Sequence, residues 1–140
     1  MTAIQDLPPV EFTAWCPWPA RTTLGCRKQP GVYVLAFDVD EGQRADVLDS
    51  RMVYIGETCR ELARRWRYFE YAARGDDAPH SGGRTFRQLI EHPVNELLVA
   101  AWAPSIEDKV LRSAYIRYVE RKLLLDWVLR HGRLPLCNRE

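Results

Sequence analysis

The chain has 140 residues, of which 46% are hydrophobic and 11% aromatic, and its formal net charge is +1 at pH 7. This composition predicts one globular domain with a packed core and excludes a disordered chain. The small net charge argues against a protein that holds DNA by charge alone, because such proteins are strongly basic.

The apolar stretches are too short, or too often interrupted by charge, to cross a hydrocarbon layer of about 30 Å. The N-terminus also lacks the basic and apolar segments of a secretory signal. We therefore expect a cytoplasmic protein with no membrane partner. The four cysteines form no Cys-x-x-Cys pair, so the spacing does not indicate structural zinc.

Residues 1–30 are rich in proline, contain Trp15 and Trp18, and show neither helical nor strand periodicity. This segment is predicted to be an irregular N-terminal arm whose aromatic residues pack on the domain. Residues 31–140 are predicted to form that domain.

The next segments predict a hairpin followed by a helix. Residues 31–38 and 51–56 are rich in β-branched and aromatic residues, which favours two antiparallel strands joined by a long loop. After Gly56, Leu62, Trp66 and Phe69 follow helical spacing and predict a helix with arginines on or beside its exposed face.

The remaining elements complete a β-β-α-α-β-α order. Residues 74–83 are predicted to be a loop, 85–92 a short helix and 96–102 a buried strand. A long helix is predicted from Ser105 or Ser113 to Arg130. The fold class expected is α+β, with a small three-stranded, mainly antiparallel sheet flanked by helices.

Glu120 stands out within the long helix because its helical neighbours Ile116, Leu123 and Trp127 are apolar. A carboxylate on an apolar stripe must find a cation or hydrogen-bond donors. It can reach solvent at the edge of the stripe, pair with an arginine of the first helix, or bind a metal ion.

Two tyrosines belong to a longer ordered pattern. Tyr33 lies in Gly-Val-Tyr, and Tyr54 lies in Val-Tyr-Ile-Gly. They are followed by a predicted helix that carries an arginine, then by a glutamate in a later helix, and finally by Asn138 near the end. Each position alone is common, since strand tyrosines are usually half-buried surface. Five positions in this order are more specific than any short motif.

This pattern resembles the GIY-YIG nuclease superfamily over residues 31–138. The resemblance implies hydrolysis of nucleic-acid phosphodiesters with one divalent ion, Mg²⁺ or Mn²⁺. It implies catalytic roles for Tyr33, Tyr54, Arg65 and Glu120, with Glu120 as the metal ligand. Asn138 matches an asparagine that closes the domain and is expected to contact a tyrosine or a phosphate.

The arginine and its neighbourhood depart from the family pattern. Counting without gaps from Tyr54 selects Arg64, whereas the apolar face and the Arg-Trp pair select Arg65. Phe69 stands where relatives have His or Tyr, with Tyr68 beside it. Arg64, Tyr68, His80 and Asn138 are expected to bind substrate, although the Gly-rich stretch after His80 is equally typical of a turn.

The sequence therefore predicts a metal-dependent endonuclease, with DNA favoured over RNA as its partner. A catalytically weak or inactive domain that binds nucleic acid or supports assembly is the alternative, and a purely structural role for these residues is the third. Because the net charge is low, selectivity is expected to need a partner protein, a homodimer or a particular DNA structure.

Overall fold

The computed structural model describes residues 3–139, so residues 1 and 2 of the predicted arm and residue 140 of the predicted domain lie outside it. The fold is α+β. Its strands are β1 (Cys16–Pro17), β2 (Gly31–Ala36), β3 (Met52–Thr58) and β4 (Leu98–Trp102), and its α-helices are α1 (Leu62–Ala73), α2 (Ser81–Leu89) and α3 (Lys109–His131). Short 3₁₀ helices cover Ile4–Asp6, Trp18–Thr23 and Val94–Glu96.

One antiparallel sheet organises the molecule, with the strand order β1-β4-β2-β3. The predicted hairpin corresponds to β2 and β3, and the predicted third strand corresponds to β4, which pairs with β2 on its other side. All six residues of β2 are buried, as expected for a strand with neighbours on both sides and helices on both faces.

The sheet has four strands, so the prediction of three was wrong. The added strand, β1, comes from the N-terminal arm and pairs Cys16 with Val99 of β4. Trp15 and Trp18 of the arm are buried. A strand of two residues has no periodicity to detect, and only its hydrogen bonds to β4 define it.

Helices cover both faces of the sheet and divide the core into two clusters. On one face, α1 and α2 pack Trp66, Phe69 and Phe86 against Tyr33 and Tyr54. On the opposite face, α3 packs its own apolar residues against β2 and β3. The residues of this second cluster that matter for the position of α3 are Val34, Ile55, Ile116, Leu123 and Trp127.

Helix α2 begins at Ser81, inside the segment predicted to be a loop, and ends at Leu89 rather than at 92. Glycines disfavour helices, which is why the sequence indicated a turn. Here a Cβ atom on Gly83 would lie 2.6 Å from the carbonyl oxygen of Phe69 and 2.7 Å from Cβ of Ala72. Glycine therefore permits the close packing of α2 on α1, and tertiary contact overrides propensity.

Helix α3 has clear start and stop signals. The Asp108 side chain accepts hydrogen bonds from the backbone N–H groups of Val110 and Leu111, which caps the N-terminus. Gly132 ends the helix with φ of 74°, a left-handed conformation that glycine adopts readily. In the described part of the chain, no helix is long and apolar enough to cross a membrane.

The C-terminal tail covers the outer edge of β3. The backbone N–H of Cys137 donates to the carbonyl of Val53. The side chain of Asn138 pairs with the backbone of Ile55 in both directions: Oδ1 accepts from its N–H at 2.9 Å, and Nδ2 donates to its carbonyl at 2.8 Å. The amide side chain thus acts as a short extra strand on an edge that would otherwise be open.

Replacing Asn138 with alanine should lower the free energy of unfolding by about 2 kcal/mol, because both backbone groups of Ile55 lose their partner. Urea unfolding measures this change. Arg133→Ala is the matched control, since its side chain is exposed and its loss should change stability by less than about 0.5 kcal/mol. Equal effects of the two substitutions would contradict the bracing role of Asn138.

Candidate functional site

A cleft of about 330 Å³ opens beside the outer edge of β3, where helices from both faces of the sheet come within reach of each other. Four of the residues predicted from the sequence line it: Tyr54, Arg65, Glu120 and Asn138. We call it the Glu120 cleft. Its other lining residues are Glu57, Ser81, Arg121, Leu124, Cys137 and Arg139.

The two tyrosines lie side by side, with Tyr54 lining this cleft. Tyr33 pairs with Gly56 across β2 and β3, and its ring centroid lies 5.8 Å from that of Tyr54. A Cβ atom on Gly56 would lie 2.5 Å from the Tyr54 ring and 2.9 Å from the Tyr33 hydroxyl. A Cβ on Gly82 would also collide with the Tyr54 ring. These glycines leave the space that the rings occupy.

Both tyrosine side chains are buried. Tyr33 is fully buried and Tyr54 is 8% exposed. Burial raises the pKa of Tyr54 to about 12, although the nearby charge of Arg65 works in the opposite direction. Burial, reinforced by Tyr54, raises the pKa of Tyr33 well above its usual range. Both tyrosines are therefore neutral at physiological pH.

His80 is the polar partner of Tyr33. Its Nε2 lies 2.7 Å from the Tyr33 hydroxyl, and its Nδ1 accepts a hydrogen bond from the backbone N–H of Gly83 at 3.0 Å. Burial, together with the charges of Arg65 and Arg84, lowers the pKa of His80 to about 3, so the ring is neutral.

These two contacts determine where the histidine proton lies. Since Nδ1 accepts from Gly83, the neutral ring carries its proton on Nε2 and donates it to the Tyr33 oxygen. His80 was predicted to bind substrate, but the completely buried ring has no access to one. It positions the Tyr33 hydroxyl instead.

Phe69, which stands where a polar residue was expected, belongs to the core. It is fully buried, and its ring meets His80 edge to face at a centroid distance of 5.1 Å. The polar group beside the tyrosines thus comes from the start of α2. The sequence offered a signal for it, the His-Ser-Gly-Gly stretch, but could not distinguish a buried cap from a surface turn.

The phase of α1 separates the two candidate arginines. Because Leu62, Trp66 and Phe69 are buried, Arg65 is carried to the Glu120 cleft, where its Nη1 donates to the carbonyl of Pro79 at 2.9 Å. Arg64 lies one position around the helix. It lines a neighbouring cleft with Tyr68, and Arg65 lines both clefts.

Glu120 lies at the margin of the apolar face of α3, with 17% of its side chain exposed. Its ion pair is with the exposed Arg121, Oε1 to Nε at 3.5 Å, rather than with an arginine of α1. Burial raises the pKa of Glu120, Arg121 opposes the rise, and the carboxylate of Glu57 adds to it. The sequence did not single out Glu57, because a glutamate at the end of a strand carries no distinctive pattern.

Asn138 lines the Glu120 cleft, but both atoms of its amide are engaged by Ile55. Its contribution in this structure is to hold the tail on β3, rather than to contact a tyrosine.

No family model matches the chain, and comparisons with curated proteins and with solved structures found no significant match. The resemblance drawn from the sequence thus remains a prediction. It depends on the identity and order of the residues in the sequence.

His80 should make the protein sensitive to mild acid. The unfolded chain takes up a proton near pH 6.5, whereas folded His80 does so only near pH 3, so stability falls as the pH drops through that window. Between pH 7 and pH 5 this effect should lower the free energy of unfolding by about 2 kcal/mol.

Urea unfolding at the two pH values checks this expectation. His80→Asn keeps an oxygen that can accept from the backbone N–H of Gly83 but removes the titrating ring. Its free energy of unfolding should therefore fall by about 2 kcal/mol less than that of the wild type between pH 7 and pH 5. His92→Asn changes an exposed histidine and should follow the wild type. The same pH dependence in all three proteins would contradict the assignment.

Proposed function

We propose that the protein is a divalent-metal-dependent endonuclease that hydrolyses phosphodiester bonds, with DNA as the preferred substrate. The observation that supports this most strongly is the meeting of Tyr54, Arg65 and Glu120 in one cleft, although they belong to β3, α1 and α3. These residues carry the GIY-YIG resemblance, and their side chains suit a phosphate and a hard cation.

The carboxylates of the cleft fit the implied ion. Glu120 and Glu57 line the same cleft, and the Glu57 carboxylate contributes to the raised pKa of Glu120. Mg²⁺ and Mn²⁺ favour such oxygen ligands, and Mg²⁺ keeps several waters. No cluster of three or more His, Cys, Asp or Glu that could hold an ion occurs in residues 3–139, so phosphate and water would complete the shell. When bound, the ion would neutralise charge on the leaving 3′ oxygen.

Arg65 would bind the phosphate that is cut. One of its nitrogens donates to the carbonyl of Pro79 at 2.9 Å, and the guanidinium has further N–H groups that can face a phosphate. A guanidinium can donate two parallel hydrogen bonds to phosphate oxygens, whose charge grows in the transition state.

The tyrosines would act as neutral hydroxyls. The pKa of Tyr54 is raised to about 12 and that of Tyr33 well above its usual range, so neither is ionised enough to serve as a general base near neutral pH. Tyr54 lines the cleft and would orient the attacking water or a phosphate oxygen. Tyr33, held by His80, would fix the position of Tyr54. Tyr33 therefore does not deprotonate the attacking water in this proposal.

Arg65→Gln should lower kcat roughly 100- to 1,000-fold while changing DNA affinity only a few-fold, because its contacts strengthen in the transition state. Single-turnover cleavage and equilibrium binding separate the two effects. Arg67→Gln is the control from the same helix, since Arg67 lines a different cleft and should retain wild-type kcat. A loss confined to affinity would contradict the assigned role.

The proposed activity itself is tested by nicking of plasmid, single-stranded and branched DNA with Mg²⁺ or Mn²⁺. Glu120→Gln should abolish cleavage yet leave the free energy of unfolding within about 1 kcal/mol of the wild type or above it, because a half-buried charge is removed. Glu107→Gln, an exposed glutamate ahead of α3, is the control and should cut normally.

The outcome also decides between the enzyme and the alternative, a domain that binds nucleic acid without cutting it. The buried hydroxyl and raised pKa of Tyr33 favour that alternative. If the wild type and Glu120→Gln behave alike on every DNA and with both ions, the nuclease proposal fails. If Glu120→Gln instead lowers the free energy of unfolding by about 3–5 kcal/mol, the role of Glu120 is structural, because a loss of this size is typical when one partner of a buried ion pair is removed.

A further inference from the structure

A second cleft, of about 210 Å³, opens between the end of β3 and the first turns of α1. We call it the Arg64 cleft. Its lining residues are Thr58, Arg60, Glu61, Arg64, Arg65 and Tyr68. Arg65 belongs to this cleft and to the Glu120 cleft, so the two are immediate neighbours.

Arg64 is held in place by Tyr68, one turn along the helix. Its Nε donates to the Tyr68 hydroxyl at 3.0 Å, and its guanidinium carbon lies 5.4 Å from the centre of the tyrosine ring. The two terminal nitrogens have no acceptor among residues 3–139. A guanidinium fixed at one end, with two NH₂ groups left over at the other, is prepared for a phosphate.

The charges of the Arg64 cleft are not balanced by the protein. Three guanidinium groups line it against one carboxylate, that of Glu61. None of the ion pairs in the described part of the chain includes Arg60, Glu61 or Arg64. The side chain of Arg60 also has no hydrogen-bond acceptor there. Like charges gathered in a concave surface favour an anion.

A solvated helix face would explain isolated arginines. It does not explain why Arg64 gives up side-chain freedom to a tyrosine at the wall of a cleft that shares Arg65 with the carboxylate site. Arg67, which is also exposed on α1, lines a different cleft with Arg21 and Arg27 and supplies the comparison.

We propose that the Arg64 cleft binds a second backbone phosphate of the nucleic-acid strand, next to the phosphate that is cut. This inference rests on the proposed function, because it takes the Glu120 cleft as the place of cleavage. Arg64 and Arg60 bind the second phosphate, and Arg65 lies between the two. The substrate is therefore a polynucleotide that continues beyond the scissile bond, rather than a mononucleotide or a terminal phosphate monoester.

The salt dependence of binding tests this inference. A fluorescently labelled duplex of mixed sequence is titrated in EDTA, which prevents cleavage, with salt between about 50 and 200 mM. Arg64→Gln should weaken binding roughly tenfold at the lower salt and reduce the slope of log K against log salt by about 0.9, the value for one phosphate contact. Arg67→Gln should change affinity less than about twofold.

Tyr68→Phe refines the test, because it removes only the hydroxyl that holds Arg64. It should keep the wild-type slope, since the charge remains, but weaken binding to a value between those of the wild type and Arg64→Gln. Thermal unfolding of each variant verifies that these surface changes leave the fold intact.

The outcomes separate this inference from the proposed function. If the wild type cuts DNA but Arg64→Gln and Arg67→Gln bind alike, the second phosphate site is overturned and the nuclease stands. If the wild type does not cut under any condition, the nuclease proposal fails. The salt dependence of DNA binding by Arg64→Gln and Arg67→Gln then still shows whether the Arg64 cleft binds a phosphate. A wild type that binds no duplex at all would also overturn the second site.

Discussion

The burial of β2 on every side is the constraint on which the rest of the structure depends. A strand with neighbours at both edges and apolar residues on both faces requires helices above and below the sheet. Arg65 on α1 and Glu120 on α3 therefore start on opposite faces. They can meet only around the outer edge of β3, and the Glu120 cleft lies there.

Packing and acid–base chemistry make opposing demands at the tyrosine pair. The glycine opposite Tyr33 lets its ring lie on the sheet, which fixes both rings but also removes them from water. A phenol removed from solvent is a rigid hydrogen-bonding group. It is rarely ionised near neutral pH, so it cannot serve as a general base. His80 contributes to this rigidity, because the backbone N–H of Gly83 sets the tautomer of its ring and makes the ring a donor to the Tyr33 hydroxyl.

Charge is arranged locally in a chain that is almost neutral as a whole. The carboxylates of Glu57 and Glu120 occupy one cleft, the guanidinium groups of Arg60 and Arg64 occupy the next, and Arg65 lines both. Under the proposed function, a hard cation and a phosphate would be the complementary ligands for these neighbouring regions. Recognition in this arrangement depends on the placement of a few groups, so a small net charge does not argue against it.

The sequence by itself determined the elements whose signals are local: the β2–β3 hairpin, the phase of α1 that selects Arg65, and α3 with Glu120 beside its apolar stripe. Periodicity of 2 and 3.6 residues is enough for these, because each pattern lies within one element. Tertiary structure alone decided the fourth strand, the helical start of α2 at a Gly-Gly pair, the burial of His80 and the place of Glu57 beside Glu120. Each of these depends on contacts between residues far apart in the chain, and such contacts leave no periodic trace in the sequence.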